Sequence, residues 1–191
     1  MESILTKAII RKAMRAKRKQ LETHFVSTAS HTIIQKLIAL PAFQEARHIA
    51  CYLSDENEVD TRELIRIIHE QQKCLYLPVF SDQKELAFYF VDDKTRFQKN
   101  AVGIDEPIVL HQKPVSPEHL ELIIIPLVAF DDAGNRVGRG AGAYDRYLQF
   151  KKTNGLVCPR LMGLAYAFQR VEKILPDEWD VVLDGVVTEE G

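Results

Sequence analysis

The stretch Leu122-Ile123-Ile124-Ile125-Pro126-Leu127-Val128-Ala129-Phe130-Asp131 decides the fold. Its first four residues form the most apolar run in the chain, which suits a central strand covered on both faces. The character of the sequence then changes at once. Residues 132 to 147 read DAGNRVGRGAGAYDRY, and four of the nine glycines fall between Gly134 and Gly142. A buried strand running into a glycine-rich loop is where open α/β sheets bind ligands, just beyond the carboxyl ends of their strands.

Working outward from this stretch, short apolar runs at Ile49 to Leu53, Cys74 to Val79, Leu86 to Phe90, Leu161 to Ala165 and Val181 to Val187 read as further strands. Helical patterns separate several of them. One covers about 28 to 40 and ends before Pro41, one covers 61 to 71 with Asp60 or Thr61 as its cap, and one begins near Gly142. Residues 3 to 21 carry seven basic side chains and no acidic one, with Ile10, Ala13, Met14 and Leu21 at helical spacing, so an amphipathic helix is expected there. Residues 91 to 119 read as a long surface excursion. Strands interleaved with helices predict an α/β fold, a three-layer αβα sandwich with a mainly parallel central sheet, in a single domain over 1–191.

A chain of 191 residues with 46% hydrophobic composition can bury one sizeable core. The formal net charge of -2 gives no general attraction to nucleic acid, and the basic first helix lacks interleaved aromatic residues. No stretch approaches the roughly 20 apolar residues of a membrane span, and the first residues lack the apolar core of a signal peptide. A cytoplasmic monomer with neither nucleic-acid nor membrane partner is expected. Cys51, Cys74 and Cys158 are too scattered for a disulfide framework or a C-x-x-C pair.

The glycines of the loop are interleaved with Arg136 and Arg139. Exposed backbone N–H groups, two guanidinium groups and a helix start are what a polyphosphate anion requires. The loop lacks the G-x-x-x-x-G-K-S/T pattern of a Walker site, and the run from Gly138 to Ala143 lies too far from its strand, with no following acid, to be a dinucleotide fingerprint. Neither a G-x-S-x-G elbow nor an H-E-x-x-H zinc motif occurs, and the six histidines are isolated.

The run GNRVGRGAGAYDRYL, preceded by IIIPLVAFD, resembles the signature of the 5-formyltetrahydrofolate cyclo-ligase family, P-x-x-A-F-D followed by G-x-R, a hydrophobic residue and G-x-G-x-G-Y-Y-D. Lys7-x-x-x-Arg11, Tyr52-Leu53-Ser54 with Glu58 and Thr61, Gly103-Ile104-x-Glu106-Pro107, Gly163-Leu164-Ala165, Asp180 and Val187-Thr188-Glu189 extend the likeness over essentially the whole chain. The resemblance implies ATP- and Mg2+-dependent conversion of 5-formyltetrahydrofolate to 5,10-methenyltetrahydrofolate. It implies ATP contacts from Lys7, Arg11 and the loop residues Gly134, Asn135, Arg136, Val137, Gly138, Arg139, Gly140, Ala141, Gly142, Ala143 and Tyr144. Folate contacts are implied for Leu53, Glu58 and Arg139 to Ala143, catalytic roles for Arg139 and Tyr144, and Mg2+ ligation for Asp145 and Asp180. Ala143 departs from the pattern, because the family often has tyrosine there. Tyr144 and Phe168 are candidates to compensate, and a nucleotide-binding regulator without folate turnover is the alternative reading.

Overall fold

The computed structural model describes residues 6–81, 83, 85–100, 103–109, 112–154 and 158–191, so residues 3 to 5 of the expected first helix lie outside the described residues. Helix α1 (Lys7–Lys19) is capped by Thr6, whose hydroxyl accepts from the amide of Ile9. Helix α2 (Thr23–Ala39) stops where expected, but Pro41 also starts a short helix, α3 (Pro41–Glu45), because its fixed φ suits the first helical position. Strand β1 (His48–Ala50) follows. Helix α4 (Arg62–Glu70) starts with both anticipated residues at work: Asp60 accepts from the amide of Arg62, while the Thr61 hydroxyl donates to the carbonyl of Tyr52.

Strands β2 (Cys74–Phe80) and β3 (Leu86–Val91) form a hairpin, and the 91–119 excursion contains a second one, β4 (Phe97–Lys99) with β5 (Asp105–Pro107). Strand β6 (Leu122–Pro126) runs into a third small hairpin, β7 (Ala129–Phe130) with β8 (Arg136–Val137). Helices α5 (Ala143–Tyr147) and α6 (Gln149–Asn154), then β9 (Arg160–Leu164) and β10 (Gly185–Val187), complete the chain.

The six-stranded sheet has the order β10-β9-β6-β1-β2-β3. All its pairings are parallel except that of the edge strand β3, which runs antiparallel to β2. Strand β6 lies in the middle, as its composition predicts. Ile123, Ile124 and Ile125 are fully buried and face opposite layers, each burial stabilising the fold by about 1.5–3 kcal/mol. One layer packs Ile33, Leu37, Phe43, Leu64 and Ile68 of α2, α3 and α4 on Ile49, Leu75 and Ile124. The other sets Ala143, Tyr144, Tyr147, Leu148 and Phe150 against Phe88, Ile123 and Ile125.

The segment expected as one strand from Val181 to Val187 is divided. Only Gly185–Val187 joins the sheet, whereas the amide of Leu183 donates to Gly134 and the carbonyl of Val181 accepts from Arg136. These bonds staple the chain to the tip of the β7–β8 hairpin. Gly134, at φ +81, makes that approach possible, since a Cβ there would lie 2.7 Å from the carbonyl oxygen of Leu183.

Candidate active site

A cavity of about 280 Å³ opens at the carboxyl ends of the central strands, bordered by Tyr52 and Leu53 after β1, Pro78 and Phe80 of β2 and Pro126 of β6. The whole run from Arg136 to Asp145 lines it without a gap. Helix α1 brings Lys7 and Arg11 to the same wall, because Ile10 between them is buried against Ala129, Val137 and Ile174. Arg11 donates to the carbonyl of Gly138 at 2.8 Å and lies beside Gly140, whose φ of +112 is open to glycine.

The expected residues therefore converge, with two exceptions. Gly134 and Asn135 sit at the hairpin tip outside the cavity wall, where Asn135 ties itself to Asp131 by its amide and side chain at 2.9–3.2 Å. Arg136 reaches the wall, but its guanidinium is held by Asp145 at 2.6 Å and by the carbonyl of Val181. That pairing makes it a brace of the loop in this state. Helix α5 is a single turn, so the cationic character of this wall comes from side chains and loop amides more than from a macrodipole.

Two groups of charges mark opposite parts of the cavity. In the first, Lys7 bridges Asp177 at 2.7 Å and Asp180, and Asp145 accepts from the amide of Val181 at 3.2 Å, which brings it beside the Asp180 segment. Burial works against the Lys7 charge, but the two aspartates outweigh it and raise the pKa. In the second, Arg139 contacts Glu58 at 3.0–3.1 Å and Asp55 at 3.0 Å. Burial pushes the Glu58 carboxyl above its ordinary value, while Arg139 and Arg18 pull it back. Burial also keeps the Tyr144 phenol protonated, its ring packed edge-on to Phe88 at 6.2 Å.

Ala143 is buried in the sheet-facing core and offers the cavity only a methyl group. Phe168 does not replace the missing ring, since it stacks on Tyr166 at 5.8 Å and does not line the cavity. Asp177, Trp179, Phe80 and Asn100 line it as well, and none was expected. Its position as the carboxyl-terminal residue of β2, paired with Leu86, is the signal that would have marked Phe80. Ile104, Asp105 and Glu106 line the cavity from β5 and the turn before it. Glu106 accepts from the amide of Phe80 at 2.5 Å and so ties that hairpin to the sheet.

A family model described as 5-formyltetrahydrofolate cyclo-ligase matches residues 4–189. The chain belongs to the 5-formyltetrahydrofolate cyclo-ligase family. The Haemophilus influenzae protein named 5-formyltetrahydrofolate cyclo-ligase is 36% identical over 173 residues, covering 89% of each chain. The Escherichia coli K12 protein of the same name is 32% identical over 180 residues, 92% of this chain and 96% of the relative. Among solved structures, Aquifex aeolicus 5,10-methenyltetrahydrofolate synthetase superposes with a TM-score of 0.82 at 33% identity, over 98% of this chain and 91% of its own. The synthetase from Mycoplasma pneumoniae gives 0.76 at 28% identity, over 97% and 99%. Membership of this cyclo-ligase family accounts for the α/β fold.

Proposed function

We propose that the protein converts 5-formyltetrahydrofolate to 5,10-methenyltetrahydrofolate with ATP as co-substrate, releasing ADP and phosphate. The observation that carries this reading is a single cavity with a cationic wall, Lys7, Arg11 and Arg139 around the glycine loop, facing Leu53, Tyr52 and the buried carboxylate Glu58. The first surface suits a triphosphate, and the second suits a pterin with its amino donors.

A formamide oxygen is a poor leaving group. Transfer of the γ-phosphoryl group to it makes a good one, nitrogen 10 then attacks the activated carbon and loses its proton to solvent, and the C–O bond breaks as phosphate departs. The protein's contribution is alignment and charge neutralisation. Loop amides and Arg139 hold the phosphates, while Glu58 and Leu53 orient the pterin so that the formyl oxygen meets the γ-phosphorus. In this reading Tyr144, a cavity-lining phenol kept neutral by burial, donates to developing negative charge.

The donor set fits Mg2+. Asp145 and Asp180 each commit one oxygen to the hydrogen bonds described above, and their other oxygens carry none among the described residues. No group of three or more His, Cys, Asp or Glu able to hold a metal occurs among the described residues, which agrees with an ion bound by one or two carboxylates and substrate phosphates. The chemistry such an ion supplies is neutralisation of triphosphate charge. The three cysteines are free, one of them exposed, as a reducing cytoplasm permits, and a monomer remains part of this reading.

The test follows the near-ultraviolet absorbance of the methenyl product after mixing protein, ATP, Mg2+ and 5-formyltetrahydrofolate, with ADP measured in parallel. Equal yields of both products, abolished by a chelator, are expected. Nucleotide binding without methenyl product would overturn the reading in favour of a regulator.

A further inference from the structure

Glu58 is only 6% exposed, and its two oxygens are held differently. Oε2 accepts from the amide of Asp55 at 3.2 Å, whereas Oε1 is shared by two guanidinium groups, Arg139 at 3.0–3.1 Å and Arg18 at 3.5 Å. The two arginines differ in kind. The Arg139 side chain is 34% exposed, stands between two glycines, divides itself between Glu58 and Asp55, and faces the cavity. The Arg18 side chain is 1% exposed and approaches Glu58 from the last turn of α1.

Arg18 is an expensive residue to keep there. Its other contacts are the carbonyl of Leu127 at 3.5 Å and the Glu56 carboxylate at 3.8 Å, and its Nε and Nη2 have no hydrogen-bond partner among the described residues. Unpartnered buried donors on a cation cost stability, so a compensating use is called for. The other titratable groups facing Glu58 do not supply positive charge. Asp55 and Glu56 in its own loop are acidic, and the phenols of Tyr52, Tyr144 and Tyr166 are kept neutral by burial.

We infer that Arg18 is a positioning residue for folate recognition, the fixed counter-ion that keeps Glu58 an ionised, correctly turned carboxylate when Arg139 is drawn toward phosphate. This rests on the proposed function for where Arg139 goes and for Glu58 as the acceptor of the pterin's amino donors. Arg18 acts through Glu58 and does not line the cavity. Burial alone drives Glu58 toward the protonated form, and a protonated carboxyl loses an acceptor for the pterin's amino donors. With Arg139 withdrawn, Arg18 is the cation that opposes this.

The test labels the protein with glutamate carrying carbon-13 at the side-chain carboxyl and assigns the Glu58 resonance by its loss in Glu58→Gln. In Arg139→Gln the carboxyl is expected to remain ionised at neutral pH, because Arg18 is still in place. In Arg18→Met the titration midpoint is expected to rise by at least about one pH unit, a tenfold change in proton affinity, and Arg18→Lys recovers part of it. In turnover, Arg18→Met raises the KM for folate most at low pH and least at high pH, with the KM for ATP unchanged. An unshifted Glu58 midpoint in Arg18→Met, or equal loss toward both substrates at every pH, would overturn the inference. Should Arg18→Met fail to fold, Arg139→Gln decides alone, since a Glu58 midpoint at or above neutral pH there shows that Arg18 does not hold the charge. The resonance needs no turnover, so absence of methenyl product counts against the proposed function and not against Arg18.

Discussion

Arg139 touches Asp55 and Glu58 from a loop between two glycines, and its side chain is not core. Arg139→Ala should therefore raise the KM for ATP by roughly tenfold to a hundredfold, the worth of one or two charge-assisted hydrogen bonds, while Tm falls by only a few degrees. A thermal scan beside the steady-state assay checks both halves. Asp145→Asn is a different case, because Asp145 also holds the nearly buried Arg136 at 2.6 Å. It should weaken the Mg2+ dependence and also destabilise the loop by about 2 kcal/mol, less than a fully buried pair because Asp145 is partly solvated. A magnesium titration with a denaturant melt separates the two effects. Arg136 shows a limit of reading the sequence: the glycine spacing marked it as a phosphate ligand, but its pairing with Asp145 depends on a bend that composition does not encode. Trp179, 61% exposed at the cavity, escaped notice because an isolated aromatic in a loop has no periodic neighbours.

Among the elements, those with strong periodicity or a dense apolar run were legible: β2, β3, β6, β9, α1 and α4 all occur close to where their patterns lie, whereas α2 ends as expected but begins at Thr23, five residues before the pattern placed it. The two-residue strands β7 and β8 were not legible, since nothing so short has a period; a turn in which Asp131 accepts from the amides of Ala133 and Asn135 closes the hairpin, and a tertiary staple to Leu183 docks its tip. The antiparallel course of β3 went unread in a sheet expected to be mainly parallel, although the connection over 81–85 is too short for a parallel crossover and admits only a hairpin. The staple can be tested at Gly134. Gly134→Ala combines an unfavourable φ with a Cβ 2.7 Å from the carbonyl oxygen of Leu183, and should destabilise the protein by about 2 kcal/mol or more. Hydrogen exchange should localise the loss to residues 129–137 and 181–184.

For the molecule as a whole, acid stability is set by carboxylates distant from the cavity as well as near it. Arg15 holds Glu56 below its ordinary 4.5. Burial opposes the ionisation of Asp60 and Glu121, but the bonds from Arg62, and from the amides of His48 and Arg47, outweigh it. Lowered folded values mean that the unfolded chain takes up more protons in this range, so the stabilisation is complete above the ordinary values and lost as pH falls through the folded ones. Calorimetry should find Tm nearly level from pH 7 to about 5 and declining below about 4. Glu58 has the opposite sign, so folate affinity should be lost at a higher pH than the fold. Finally, Lys7, Arg11 and Arg18 lie on one stripe of α1, and at 1.5 Å per residue the helix separates the Asp180 end from the Glu58 end by about 16 Å. One straight element therefore carries counter-charges for carboxylates at both ends, so a bend or a shift of α1 would disturb the two ends together rather than one alone.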